Sequence, residues 1–97
     1  MDIQLHAEGP VLHAALAGSL NAATAGELEA ALAPYMDDAS EIQFDFANLE
    51  YLSSAGLRVL MMMYKRLDGT GVIILNAREE IREVFDITGF SALFDIR

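Results

Sequence analysis

Ser53 and Ser54 stand side by side where an alternating apolar segment gives way to a helical one, and no other polar pair in the chain has comparable chemical reach. Either hydroxyl can cap a helix that starts near Ala55, by accepting a bond from one of its unpaired first-turn N–H groups. A serine there is also placed for phosphorylation, because a phosphate at a helix N-terminus meets free N–H groups and the favourable end of the dipole. Arg58 lies one turn beyond Ser54, where it can pair with that phosphate; without one it is a solvated surface charge. A hydrolytic role for the serines lacks its other parts. Leu52-Ser53-Ser54-Ala55-Gly56 is not a G-x-S-x-G elbow, and the only imidazoles are His6 and His13, in a different segment. Two imidazoles without a third ligand make a poor metal site. Gly69-Thr70-Gly71 is not followed by Lys, so there is no Walker-type phosphate loop, and any phosphate must come from another protein. The expectation is a binding protein with no enzymatic activity, no cofactor and no metal.

The elements that would hold these residues follow from periodicity. Ile3, Leu5 and Ala7 alternate with polar neighbours, and after Gly9-Pro10 the alternation resumes from Val11 to about Ala17 with Leu12, Ala14 and Leu16, which predicts a hairpin. The histidines fall on its outward face. From Ala22 to about Met36 the period becomes helical, with Leu28, Ala31, Leu32 and Tyr35 on one stripe; Asn21 is a good N-cap, and Thr24 with Glu27 has capping-box spacing, so either can start it. Ile42, Phe44 and Phe46 predict a third strand leading toward the serines. Leu57 to Leu67 is helical, with Lys65 and Arg66 near its C-terminal end, where cations are favoured. Val72 to Leu75 is apolar on both faces and suits a strand covered on both sides. A third helix runs from Arg78 to about Thr88 with Gly89 closing it, and Leu93 to Ile96 adds an optional edge strand. The order β-β-α-β-α-β-α predicts an α/β domain: a mixed sheet, with an antiparallel N-terminal hairpin and then parallel βα units, carrying packed helices.

Composition bounds what this domain meets. A chain of 97 residues has the size of one domain, and 54% hydrophobic against 22% charged residues is too apolar for disorder. No cysteine is present, which removes disulfides and thiolate chemistry. The longest apolar run, Val59 to Tyr64, is far too short to span a bilayer, and the N-terminus lacks a basic, apolar signal, so a soluble cytoplasmic protein is expected. Residues 1–50 hold nine acidic side chains and no Lys or Arg, so the whole net charge of −9 resides in that half. Such a surface repels phosphate backbones and anionic lipid. Nucleic acid and membrane are therefore poor partners, and a basic protein surface is a good one.

The stretch Phe44-Asp45-Phe46-Ala47-Asn48-Leu49-Glu50-Tyr51-Leu52-Ser53-Ser54-Ala55-Gly56-Leu57-Arg58-Val59-Leu60 resembles the signature of the STAS domain as found in bacterial anti-sigma factor antagonists. Gly18-Ser19-Leu20-Asn21-Ala22-Ala23-Thr24 is similar to that family's loop before its first helix, and Arg82 to Phe90 to its C-terminal helix. The resemblance implies a protein that binds an anti-sigma factor of serine-kinase type, frees a sigma factor, and is switched off when the kinase phosphorylates the signature serine; a monomer is expected. Alignment on Gly56-Leu57 places that acceptor at Ser54, with Ser53 second. Partner binding is then expected through Asn21, Thr24, Asp45, Ser53, Ser54, Gly56, Leu57 and Arg58. The chain departs from the pattern at two places: Ser53 stands where the family most often has Asp before the acceptor, and Asn21 where it has Asp before the first helix. The alternative that the family also offers is an accessory subunit docked on the ATPase of a lipid-transport ABC system.

Overall fold

In the computed structural model, which describes residues 1–97, the predicted hairpin forms from β1 (Asp2–Glu8) and β2 (Val11–Leu20), paired antiparallel. Then follow α1 (Ala25–Leu32), β3 (Glu41–Leu52), α2 (Ser54–Arg66), β4 (Val72–Leu75), α3 (Glu79–Thr88) and a short β5 (Asp95–Ile96). The five strands lie in sequence order, with every pairing after the hairpin parallel. This is the mixed α/β sheet expected from the alternation of periods.

Two strands outrun their sequence pattern. β2 continues three residues past Ala17 and β3 six past Phe46, and the register between them shifts at Ala15/Ala17 and at Gly18/Ser19. Each shift inserts an unpaired residue, so buried positions on β3 move from every second residue (Ile42, Phe44, Phe46) to every third (Leu49, Leu52). A period-2 pattern cannot report a strand that bulges.

The first helix, by contrast, is shorter than its stripe. Pro34 supplies no N–H and its ring clashes with the carbonyl four residues back, so after Leu32 the chain tightens into a 3₁₀ turn over Ala33–Tyr35. Leu28, Leu32 and Met36 are buried nonetheless.

Every helix packs on one side of the sheet. Leu28 and Leu32 of α1, Leu57, Val59, Leu60 and Met63 of α2, and Ile81 and Phe85 of α3 join the inward residues of β2, β3 and β4 in a single cluster. Aromatic rings tie the layers together: Phe46 of β3 stacks on Phe85 of α3 at 6.4 Å between centroids, and Phe94 meets Phe85 edge-on at 5.8 Å. The other face of the sheet has no helix over it. The expectation that β4 is covered on both sides is corrected accordingly: Ile73, on the open face, is buried by its sheet neighbours, flanked by Gln43 and Asp95 in register, while Leu75 stays half-exposed. Arg97 closes that edge, its N–H donating to the Ile74 carbonyl at 2.8 Å and its guanidinium to Asp95 at 2.9 Å. That bond, with the charge of Asp95, raises the Arg97 pKa.

Because Phe46 is fully buried at the joint between β3 and α3, Phe46→Ala should cost about 3 to 5 kcal/mol. Urea denaturation followed by far-UV circular dichroism checks this; a loss under about 1 kcal/mol would mean that the layers do not depend on that joint.

Candidate functional site

The candidate site forms where the C-terminal ends of β2 and β3 run side by side. Leu20 pairs in register with Leu52, and the Ser53 N–H donates to the Leu20 carbonyl at 2.9 Å, so the ladder is carried one step beyond the strand. From there the chain turns directly into α2.

Ser53 takes the N-cap. Its backbone is extended (φ −99°, ψ 175°) and its Oγ accepts the Gly56 N–H at 3.4 Å, while its carbonyl accepts the Leu57 N–H at 3.0 Å. Of the two hydroxyls that sequence leaves equivalent, the structure thus engages Ser53 and leaves Ser54 free. Ser54 is the first residue of the helix and is exposed, whereas Ser53 is half-buried. Arg58, one turn on, is exposed and makes no ion pair.

Gly56 explains how the helix can start there. A β-carbon at this position would lie 2.6 Å from Leu20 Cγ and 2.8 Å from Leu52 Cδ1, both fully or nearly fully buried. Only a residue without a side chain lets the first turn of α2 sit on the strand ends. Leu57 then enters the core, 7% exposed. Gly56 and Leu57, expected among the contact residues, therefore lie beneath the surface and hold it in place.

The loop after β2 forms the neighbouring part of the edge. Asn21 Oδ1 accepts from the N–H groups of Ala23 at 2.9 Å and Thr24 at 3.2 Å, and its carbonyl accepts from Ala25 at 2.8 Å. The Thr24 hydroxyl donates to the Ser19 carbonyl at 2.8 Å and accepts from the Asn21 N–H at 2.9 Å. Since that hydroxyl ties the loop back to β2, the capping box with Glu27 does not form, and Asn21 opens the turn that leads into α1. A carboxamide oxygen makes here the two bonds that a carboxylate would, without its charge.

Asp45 belongs elsewhere. It sits in mid-strand on the open face, paired in register with Ala15 and Leu75, and eight residues of extended chain, about 25 Å, separate it from Ser53. The site residues brought together are Asn21, Thr24, Ser53, Ser54, Gly56, Leu57 and Arg58; Asp45 is not among them. The histidines are also remote. His6 and His13 are cross-strand partners with rings 6.0 Å apart, His13 Nε2 lies 3.7 Å from Glu8, and about 23 Å of β2 separates His13 from Leu20. No imidazole can reach either serine. One residue missed by sequence reasoning joins the edge: Tyr51, opposite Ser19 in register, is 55% exposed. Its signal was the broken alternation after Phe46, which turns an aromatic outward.

A serine-capped helix start at the strand ends of a mixed α/β sheet with its helices on one side is an architecture that comparison with known proteins places. The STAS domain family model matches residues 2–97, and the chain belongs to that family. BtrV of Bordetella bronchiseptica, named as an anti-sigma factor antagonist, is 37% identical over 57 residues, which is 57% of this chain and 49% of that one. The match thus spans about half the length of this curated relative. An anti-sigma factor antagonist from Mycobacterium paratuberculosis superposes with a TM-score of 0.86 at 26% identity, over 98% of this chain and 83% of the other. The anti-sigma factor antagonist SpoIIAA, in its unphosphorylated form, gives 0.86 at 19% identity over 99% and 88%, a likeness of fold. No helix is long and apolar enough to cross a membrane.

The Gly56 contact yields a prediction against propensity. Alanine in a helix is normally favoured over glycine by about 1 kcal/mol, but the clash with Leu20 and Leu52 should outweigh it, overpacking costing about 1 to 3 kcal/mol. Gly56→Ala should therefore lower the melting temperature by a few degrees, by calorimetry, and an increase would show that the helix start is free to move.

Proposed function

We propose that this protein is an anti-sigma factor antagonist. It binds an anti-sigma factor of serine-kinase type as a monomer in the cytoplasm, so releasing a sigma factor, and phosphorylation of Ser54 by that kinase ends the binding. The observation that carries the reading is Ser54 itself: an exposed hydroxyl at the first position of α2, beside a Ser53 whose oxygen is already engaged as the cap. The names of the Bordetella and mycobacterial relatives support the partner class. SpoIIAA, also known in a phosphorylated form to which this chain superposes with a TM-score of 0.78 at 19% identity, supports the switch.

The contact surface in this reading is the edge formed by Asn21, Thr24, Ser53, Ser54 and Arg58, with Gly56 and Leu57 supporting it from below. The acidic first half of the chain steers a basic partner through its long-range field rather than at the edge itself, and association should slow as salt shortens the Debye length to about 8 Å and below. A phosphoryl group brings about −1.5 to −2 charges to this edge. First-turn N–H groups such as that of Ala55 have no intrahelical acceptor, so they and Arg58 can hold the phosphate in place. Inactivation is then local: the bulk of the phosphate, and its engagement of Arg58 and the first-turn N–H groups, block the partner while the fold stays intact.

Two experiments test this. With the anti-sigma factor co-purified from the native host, Ser54→Asp should weaken binding at least about tenfold and Ser54→Ala should leave it within about twofold while abolishing phosphorylation. Unaltered affinity of Ser54→Asp, phosphate mapped to Ser53, or capture of an ABC-transporter ATPase instead would each overturn the reading. In thermal melts, phosphorylation should change stability by no more than about 1 kcal/mol, or a few degrees, and Arg58→Ala should lower the melting temperature of the phosphorylated form more than that of the unmodified one. A large drop on phosphorylation would mean that the switch works by unfolding.

A further inference from the structure

The face of the sheet that no helix covers carries a trough along β2. Ala15 and Ala17 make a low floor, and longer polar side chains rise from the strands on either side: Asp2 and Gln4 on β1, Asp45 and Asn48 at β3. Those walls stand two strand spacings apart, about 9 to 10 Å, room for one side chain between them. Two depressions of about 230 and 340 Å³ share Gln4, Ala15 and Asp45 and so form one continuous hollow.

The charge in this hollow is unbalanced and held in position. Asp45 Oδ1 accepts the Ala47 N–H at 3.0 Å and the Asn76 carboxamide at 3.1 Å, which orients the carboxylate and leaves Oδ2 without a protein partner. Asp2 stands across the floor without an ion pair, and no Lys or Arg lines either depression. A bare metal ion does not suit the geometry, because nowhere in the chain do three metal-ligating side chains converge. A long aliphatic stem ending in a positive charge does: methyl groups below, carboxylates on both sides, and a carboxamide from Gln4 alongside.

We infer that this trough docks a cationic side chain of a partner protein, an Arg or Lys whose stem lies on Ala15 and Ala17 and whose head sits between Asp2 and Asp45. The charge of the walls selects the occupant, and the small floor residues admit it. The proposed seat of the charged head lies at Asp45, about 25 Å from Ser53 along β3, and the near end of the trough, at Asn48, about 16 Å, so the inference does not depend on the phosphorylation reading. It also gives Asp45 a role that its distance from the serines denies it there.

The test is an amide ¹⁵N–¹H titration with acetyl-Gly-Arg-Gly-amide as probe and acetyl-Gly-Glu-Gly-amide as control. Saturable shifts should concentrate at Gln4, Ala15, Ala17 and Asp45 with the arginine peptide only. Asp45→Asn should weaken binding about threefold to fivefold, Ala15→Leu should abolish it by filling the floor, and Glu80→Gln on the exposed side of α3 should leave it unchanged. Melting temperatures report that each variant is folded; should Ala15→Leu not fold, Asp2→Asn and Asp45→Asn decide alone. Shifts spread evenly over Glu79, Glu80 and Glu83, equal affinity for Asp45→Asn, the same response to the glutamate peptide, or no saturable shift at all would overturn the inference.

Discussion

The close approach of the first turn of α2 to the end of β2 governs the rest of the site. One backbone bond from Ser53 to Leu20 and one absent side chain at Gly56 bring strand ladder and helix start into direct contact. Were the helix lifted by the width of a methyl group, the Ser53 cap would lose its alignment and the two serines would again be equivalent. Instead the packing divides their labour: the half-buried hydroxyl closes the helix, and the exposed one faces solvent at the positive end of the dipole. A rigid position for a reactive hydroxyl follows from core packing beneath it.

The same arrangement explains how the short loop before α1 keeps a fixed shape. Asn21 and Thr24 spend their side chains on the backbone of their own turn and on Ser19, the last residue but one of β2. Such bonds trade side-chain freedom for a fixed edge, which lowers the ordering cost of any contact made there. Neutral oxygens at 21 and 53 supply the local hydrogen bonding without placing charge beside Ser54.

Placing all three helices on one side has a second consequence. The acidic residues of the first half are shared between the helix-bearing side and the bare sheet face, where Asp2, Glu8, Glu41 and Asp45 point outward and Arg97 is the one Lys or Arg beside them. The molecule therefore presents two chemically distinct surfaces, one centred on an exposed hydroxyl at a helix start and one on carboxylates.

By itself the sequence determined the order of strands and helices, the hairpin, the mixed sheet, the buried faces of β2 and of α2, and the location of a serine pair at a helix start, because those depend on local periodicity and capping chemistry. The tertiary structure decided what depends on contacts between distant residues. Bulges paired against β2 carried β3 to Leu52, although its alternation fails after Phe46. Packing on Leu20 and Leu52 chose Ser53 as the cap and sank Gly56 and Leu57 below the surface. The unbroken run of β3 to Leu52 set Asp45, which alternation already turns away from the core, about 25 Å from the Ser53 with which it shares the signature. A linear pattern records which residues are neighbours along the chain and which way each strand alternates; it holds no measure of how far a twelve-residue strand separates its two ends, and that length is what divides one surface from the other.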